Sequence, residues 1–178
     1  PRERDLWGAE SIYSAVPGVY CYDWAPNHRL MNRLWWTGPM APGGIPGNIG
    51  VGKRLTTATR GFIWSVTPVF ITSELYEHYA DMAPARAFYD KMRHLLRYAE
   101  RTGENGGTIP VPHDLSDHAP PRDIPREPAN GALISALVFF EAQNRFARMA
   151  DALGKAEDAA YARAHAEKFS WRAATEQF

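Results

Sequence analysis

The sequence predicts an all-α fold of antiparallel helical hairpins, with function carried on long connections between them. Three observations lead there. Apolar or small residues recur at three- and four-residue spacings over four separate segments. Two stretches, about 39–60 and 103–128, interrupt that pattern, and connections of this length are uncommon unless functional or disordered. Sustained strand alternation is missing, and the short strand candidates fall near 18–22 and 61–65.

Taken in order, an N-terminal helix is expected over about 5–14. The next covers 67–79, through Val69, Phe70, Leu75 and Tyr76. Pro84 suits the first turn of a third helix, where its missing N–H costs nothing. Phe88, Met92, Leu95 and Ala99 form its buried stripe, and "TGENGG" ends it. From 130 to 153 the stripe is Ala132, Ala136, Phe139, Phe146, Met149 and Leu153, with Gly154 as the cap beyond it. A last helix takes Ala159, Ala162, Ala166, Phe169 and Ala173. These two make a hairpin with a very short turn, and the alanines allow close approach.

The chain has 178 residues, one domain's worth. Twenty basic residues balance twenty acidic ones, which argues against a nucleic-acid or membrane-surface partner. Cys21 is the single cysteine, so an internal disulfide and a cysteine metal cluster are excluded. No apolar run reaches the roughly 18 residues a membrane span needs. The first residues carry no signal-peptide core, and the compartment is left open. The absence of an initial Met suggests a piece of a longer protein.

Candidate chemistry gathers in few places. "VPHDLSDHAPPRD", residues 111–123, sets Asp114 and Asp117 between His113 and His118 in a segment too proline-rich for a helix. Glycosidic cleavage needs one carboxylic acid to protonate the leaving oxygen and a second carboxylate to activate water or attack. The plain reading is that both acids cap turns. A His-Asp-His zinc site would need a helical ligand pair such as H-E-x-x-H, which is missing, so no metal and no cofactor are expected. Asp23 lies in "YCYDWAPNHR", where an Asx turn before Pro26 is the plain reading, and His28 and Arg29 add donors on a solvated loop. Five of the six tryptophans fall in the first 64 residues. Adjacent Trp35 and Trp36 point in different directions, so one can pack while the other offers an apolar face to a sugar ring.

"DWAPNHRLMNRLWWTG", "GFIWSVTPVFITSELYEHYAD", "HDLSDHAPP" and "ALVFFEAQNRFARMADALGKAEDAAYARAHAEKF" occur in the order found in bacterial α-L-rhamnosidases of glycoside hydrolase family 78, which the chain resembles over nearly its whole length. The resemblance implies part of an (α/α)6 toroid, residues 1–178 being roughly the N-terminal half of that catalytic domain. It implies hydrolysis of terminal α-L-rhamnose with inversion, and a carbohydrate partner. By the same resemblance Asp23 matches a sugar-contacting aspartate, Trp36 with Thr37 and Gly38 matches a turn whose tryptophan packs on rhamnose, and Trp64 matches a substrate-lining tryptophan. Asp114 matches the aspartate of a Gly-Asp-Trp motif, with His113 and Leu115 as its neighbours here. The family's acid glutamate falls at Asn32, its preceding acid at Met31, the aspartate after the turn at Pro39, and a further acid at Val66. The general base would lie beyond residue 178. The acid role therefore passes to Asp23, Asp114 or Asp117, and Asp23 and Asp114 are expected to share a cleft, with His28, Arg29, His113, Trp36 and Trp64 lining it. A degenerate sugar-binding relative and a helical-repeat scaffold for protein partners are the rival readings.

Overall fold

The computed structural model describes residues 6–38, 48–49, 62–103 and 131–169. Among them are β1 (Leu6–Trp7), α1 (Gly8–Cys21), α2 (Ala25–Thr37), β2 (Asn48–Ile49), α3 (Phe62–Ser65), α4 (Thr67–Tyr79), α5 (Ala83–Thr102), α6 (Gly131–Ala152) and α7 (Ala156–Ala166), with a 3-10 turn over Glu167–Phe169. The two strands pair antiparallel over two residues each, Leu6 with Ile49 and Trp7 with Asn48. The rest is helix, so the fold is all-α.

Direction along the helices follows from which residues meet. Gly8 lies against Trp64 and Tyr20 against His78, so α1 runs parallel to α3 and α4. Phe62 meets Phe139, Glu74 meets Arg145 and Glu77 meets Arg148, so α6 runs the same way. Trp24 bonds Tyr79 while Asn32 bonds Thr72, so α2 runs opposite to α4. Tyr89 meets Asp158 and Glu100 meets Tyr161, so α5 runs with α7. The result is three antiparallel hairpins, α1–α2, α4–α5 and α6–α7, with α1, α4 and α6 pointing one way. Such an order is one arc of a toroid of paired helices.

This alternation gives the molecule two unlike ends. The turns within hairpins, 22–24, 80–82 and 153–155, all lie at one, the turn end. The connections between hairpins leave from and return to the other, the linking end.

Local chemistry explains two of the reversals. Ala80 adopts a left-handed backbone, φ 51°, and its N–H and that of Asp81 close on Tyr76 and Leu75. Gly154 does the same at φ 72°, where a glycine carries no Cβ penalty, and Lys155 N–H closes on Ala150. At the linking end Gly8 has a different reason to be glycine. A Cβ there would collide with the carbonyl oxygen of Trp64, so α1 and α3 touch backbone to backbone.

The core runs through all three hairpins. It includes Trp35, Trp36, Phe62, Ile71, Met92, Leu95, Phe139 and Met149. Helix α4 is buried all round from Thr67 to Leu75, which makes it the hub on which α1, α2, α5 and α6 pack. Ala159, Ala162 and Ala166 are buried against α6.

Several expectations are corrected. Residues 18–22 and 62–65 are not strands: 18–21 complete α1 and 62–65 form α3. Short aromatic and β-branched runs fit either state; 62–65 are buried throughout as a helix, while 18–21 simply continue the helix begun at Gly8. The N-terminal helix begins and ends later than expected, at Gly8 and Cys21, continuing through Pro17. The segment holding His28 and Arg29 is not a loop but α2, opened by Pro26 in its first turn. Helix α7 ends at Ala166 and a 3-10 turn takes Phe169, while the expected Ala173 lies outside the described residues. The long stretches 39–47, 50–61 and 104–130 lie outside the described residues.

Candidate functional site

The expected site residues divide between the two ends. Asp23 is exposed in the turn between α1 and α2. Arg29, one turn into α2, is exposed and its Nε donates to Asp81 at 2.6 Å. Burial works to raise the Asp81 carboxyl, but the Arg29 hydrogen bond, the Ala83 N–H and the Arg29 charge outweigh it and hold it below the ordinary carboxylate value. All three residues belong to the turn end. Trp36, in the last turn of α2, and Trp64, in α3, belong to the linking end. A 13-residue helix is about 20 Å long, so Asp23 and Trp36 are far apart although close in sequence. His113, Asp114 and Asp117 lie outside the described residues, and so does the expected cleft shared by Asp23 and Asp114. Both flanks of 104–130, Gly103 after α5 and Gly131 opening α6, are at the linking end, opposite Asp23.

Burial gives the aromatic residues a packing role. Trp36 has no exposed surface. Its ring stacks on Phe88 with centroids 6.0 Å apart, and its Nε1 donates to Thr72 Oγ1 at 3.5 Å. Lys91 Nζ donates to the Trp36 carbonyl at 2.5 Å, fixing the end of α2 to α5. Trp64 is buried within the same core cluster.

Asn32 sits one turn before Trp36 and is 1% exposed. Its Nδ2 donates to Thr72 Oγ1 at 2.5 Å and to the Pro68 carbonyl at 3.5 Å, so it ties α2 to α4. The position that the resemblance assigns to an acid is thus a helix–helix contact in this chain. A carboxylate in its place would face a carbonyl oxygen without a proton to offer when ionised. His28, one turn further back, is also fully buried, and neither ring nitrogen has a hydrogen-bond partner. Burial, and then the nearby His78, push its pKa down to about 4, so it is neutral at pH 7.

The described carboxylates at the helix interfaces are engaged with donors or cations. Glu74, 1% exposed, accepts from Arg145 at 2.5 Å and lies 3.0 Å from His78. Arg145 also donates to Glu141 at 2.7 Å, and Glu77 accepts from Ser73 and Arg148. Burial works against the Arg145 charge, yet Glu74 and Glu141 raise its pKa further, so this is a permanent cation clamping α4 to α6. Sequence reasoning passed over this cluster because Glu74 and His78 look like a solvated helix face at i, i+4. It also passed over Glu100, whose carboxyl burial pushes up, although Arg97 and the Gln143 hydrogen bond pull the other way. Glu100 accepts from Gln143 and Tyr161, each at 2.8 Å, beside a crevice of about 10 Å³, too small for a sugar ring. No group of three or more His, Cys, Asp or Glu able to hold a metal ion occurs among the described residues. No described helix is long and apolar enough to cross a membrane.

The fold and sequence can be set beside known proteins. The alpha-L-rhamnosidase from Dictyoglumus thermophilum superposes with a TM-score of 0.78 at 19% identity, covering 92% of this chain but 18% of that one. The likeness is one of fold, and the chain spans less than a fifth of that protein. No curated protein matches the chain. The family described as bacterial alpha-L-rhamnosidase 6 hairpin glycosidase domain matches over residues 2–176. With that match spanning nearly every residue and three hairpins in the expected order, the chain belongs to the bacterial alpha-L-rhamnosidase six-hairpin glycosidase family.

Proposed function

We propose that the chain is roughly the N-terminal half of a six-hairpin catalytic domain, part of a glycoside hydrolase that removes terminal α-L-rhamnosyl residues with inversion. The observation that carries this reading is the order of three alternating hairpins in a chain that matches a six-hairpin glycosidase family from residue 2 to residue 176. Asp114 and Asp117 are its acids, since their segment joins α5 to α6 and both flanks open on the linking end. Arg29, at the turn end, holds Asp81 instead, and Asp23 lies exposed at that same end. One of Asp114 and Asp117 supplies the general acid and a carboxylate beyond residue 178 the general base, a pair that needs no metal or cofactor.

The test is turnover of an aryl α-L-rhamnoside by the full-length protein, with the released anomer followed by NMR. Inversion releases the β-anomer first. Asp114→Asn is expected to lower kcat by the roughly 10²–10⁴-fold typical of general acid–base catalysis. Undiminished kcat in both Asp114→Asn and Asp117→Asn would remove these residues from the mechanism.

A second reading, a catalytically degenerate carbohydrate-binding relative, is favoured by one observation. The position matched to the family's acid is Asn32, sealed between α2 and α4. Rhamnoside binding with no turnover in the same assay supports it over the first.

A further inference from the structure

A pocket of about 490 Å³ opens at the turn end, between the first half of α5 and the turn joining α6 to α7. It is separate from the linking end to which the catalytic reading assigns its acids. Its walls bring together Arg86, Arg93 and Lys155 with Asp90, Asp158 and Tyr89.

The charges in it are unevenly satisfied. Arg93 is occupied, reaching Asp90 at 3.0 Å and Asp158 at 3.4 Å. Tyr89 donates its hydroxyl to Asp158 at 2.8 Å. Arg86 and Lys155 are exposed, and neither has a carboxylate partner among the described residues; the Lys155 ammonium has the Tyr89 ring 6.0 Å away. Three cations against two carboxylates leave a single net positive charge on the lining. Such a lining matches one negative charge better than two, and the two carboxylates present acceptors for hydroxyl groups. The volume falls within the roughly 300–1,000 Å³ usual for small-molecule sites.

We propose that this pocket binds a carboxylated sugar, a uronate unit of an acidic glycan, with Arg86 and Lys155 on its carboxylate and Asp90 accepting from its ring hydroxyls. A carboxylate takes charge-assisted bonds from both free cations, while a neutral sugar would leave them unpaired. A phosphate dianion would bring its second charge up against Asp90 and Asp158. The pocket would thus hold a polysaccharide at a distance from the reacting bond.

The experiment titrates the protein with methyl glucuronide, methyl glucoside and inorganic phosphate, by calorimetry and by amide NMR. Methyl glucuronide is expected to bind about tenfold or more tighter than methyl glucoside, because a hydrogen bond to a charged group is worth about that factor. Arg86→Ala and Lys155→Ala should each weaken the glucuronide about tenfold, and the double variant should abolish its shifts at residues 86–93 and 153–158. Arg33→Ala, an exposed charge on α2, should change nothing. Arg86 and Lys155 are surface residues, so unchanged circular dichroism is expected in every variant. Equal binding of glucuronide and glucoside, tighter binding of phosphate than of glucuronide, undiminished binding by the double variant, or no glucuronide binding at all would each overturn the proposal.

Discussion

The two ends of this molecule solve opposite problems. At the turn end the chain reverses three times within three residues each, and charged side chains meet there, as in exposed Arg29 with half-buried Asp81 and exposed Arg93 with half-buried Asp158. At the linking end the contacts are aromatic and buried: Phe62 on Phe139, and Gly8 against Trp64. The turn end sets direction and the linking end sets packing. Helix α2 spans both, so substitutions along it read out the difference.

The largest effect is expected at the linking end. Trp36→Ala removes a fully buried indole and should cost about 3–5 kcal/mol, read as a lower urea midpoint with an unchanged slope. A variant with normal stability and lost rhamnoside binding would instead put Trp36 on an open sugar face, and the comparison would break.

An intermediate effect is expected at His28, which is buried near the turn end. Its folded pKa, about 4, is below the ordinary 6.5, because burial disfavours the charged ring. The unfolded chain therefore accepts a proton that the folded chain refuses. Stability is full above about pH 6.5, falls as pH drops toward about 4, and is level in this respect below that, a loss of roughly 3 kcal/mol. Urea midpoints at pH 7.5, 5.5 and 4 should fall less steeply in His28→Leu than in the native chain. Identical pH slopes would clear His28 of the effect.

The smallest effect belongs to the turn end. Arg29 is 55% exposed at its side chain, so solvent screens its pair with Asp81, and Arg29→Ala should cost only about 0.2–1 kcal/mol. What the pair adds is present above the unfolded Asp pKa and is lost as pH falls through the lower folded value. A cost as large as that of Trp36→Ala would mean that the charged end, too, carries the fold.

Helices α5 to α7 are legible in the sequence because each buries an apolar stripe that repeats at helical spacing, and α4, buried all round from Thr67 to Leu75, is legible through Val69, Phe70, Leu75 and Tyr76. Helix α2 is not, and the reason is physical. Its buried face reads Ala25, His28, Asn32, Trp35 and Trp36, with two polar residues where a stripe would need apolar ones. Asn32 is acceptable there because Thr72 and Pro68 receive its amide protons, a fact about α4 that no local window contains. The site was less legible than the fold for a related reason. Asp23, His28, Arg29 and Trp36 look like one cluster when written in a line, but the helix they share carries them apart. Trp36 and Trp64 carry sugar-platform chemistry in principle, and their place in the core could not be read without their neighbours.

The alternation of short turns and long connections also bears on how such a chain can change over generations. Doubling the length of a flexible connection costs only about 0.6 kcal/mol, while each helix keeps its partner through a turn of three residues. Insertions and deletions between hairpins are therefore nearly free, and those within hairpins are not. Lineages can lengthen or shorten what joins Gly38 to Phe62 and Gly103 to Gly131 without unsettling the arc of helices, provided Asn48 and Ile49 keep their pairing with Trp7 and Leu6 and the proposed acids are retained.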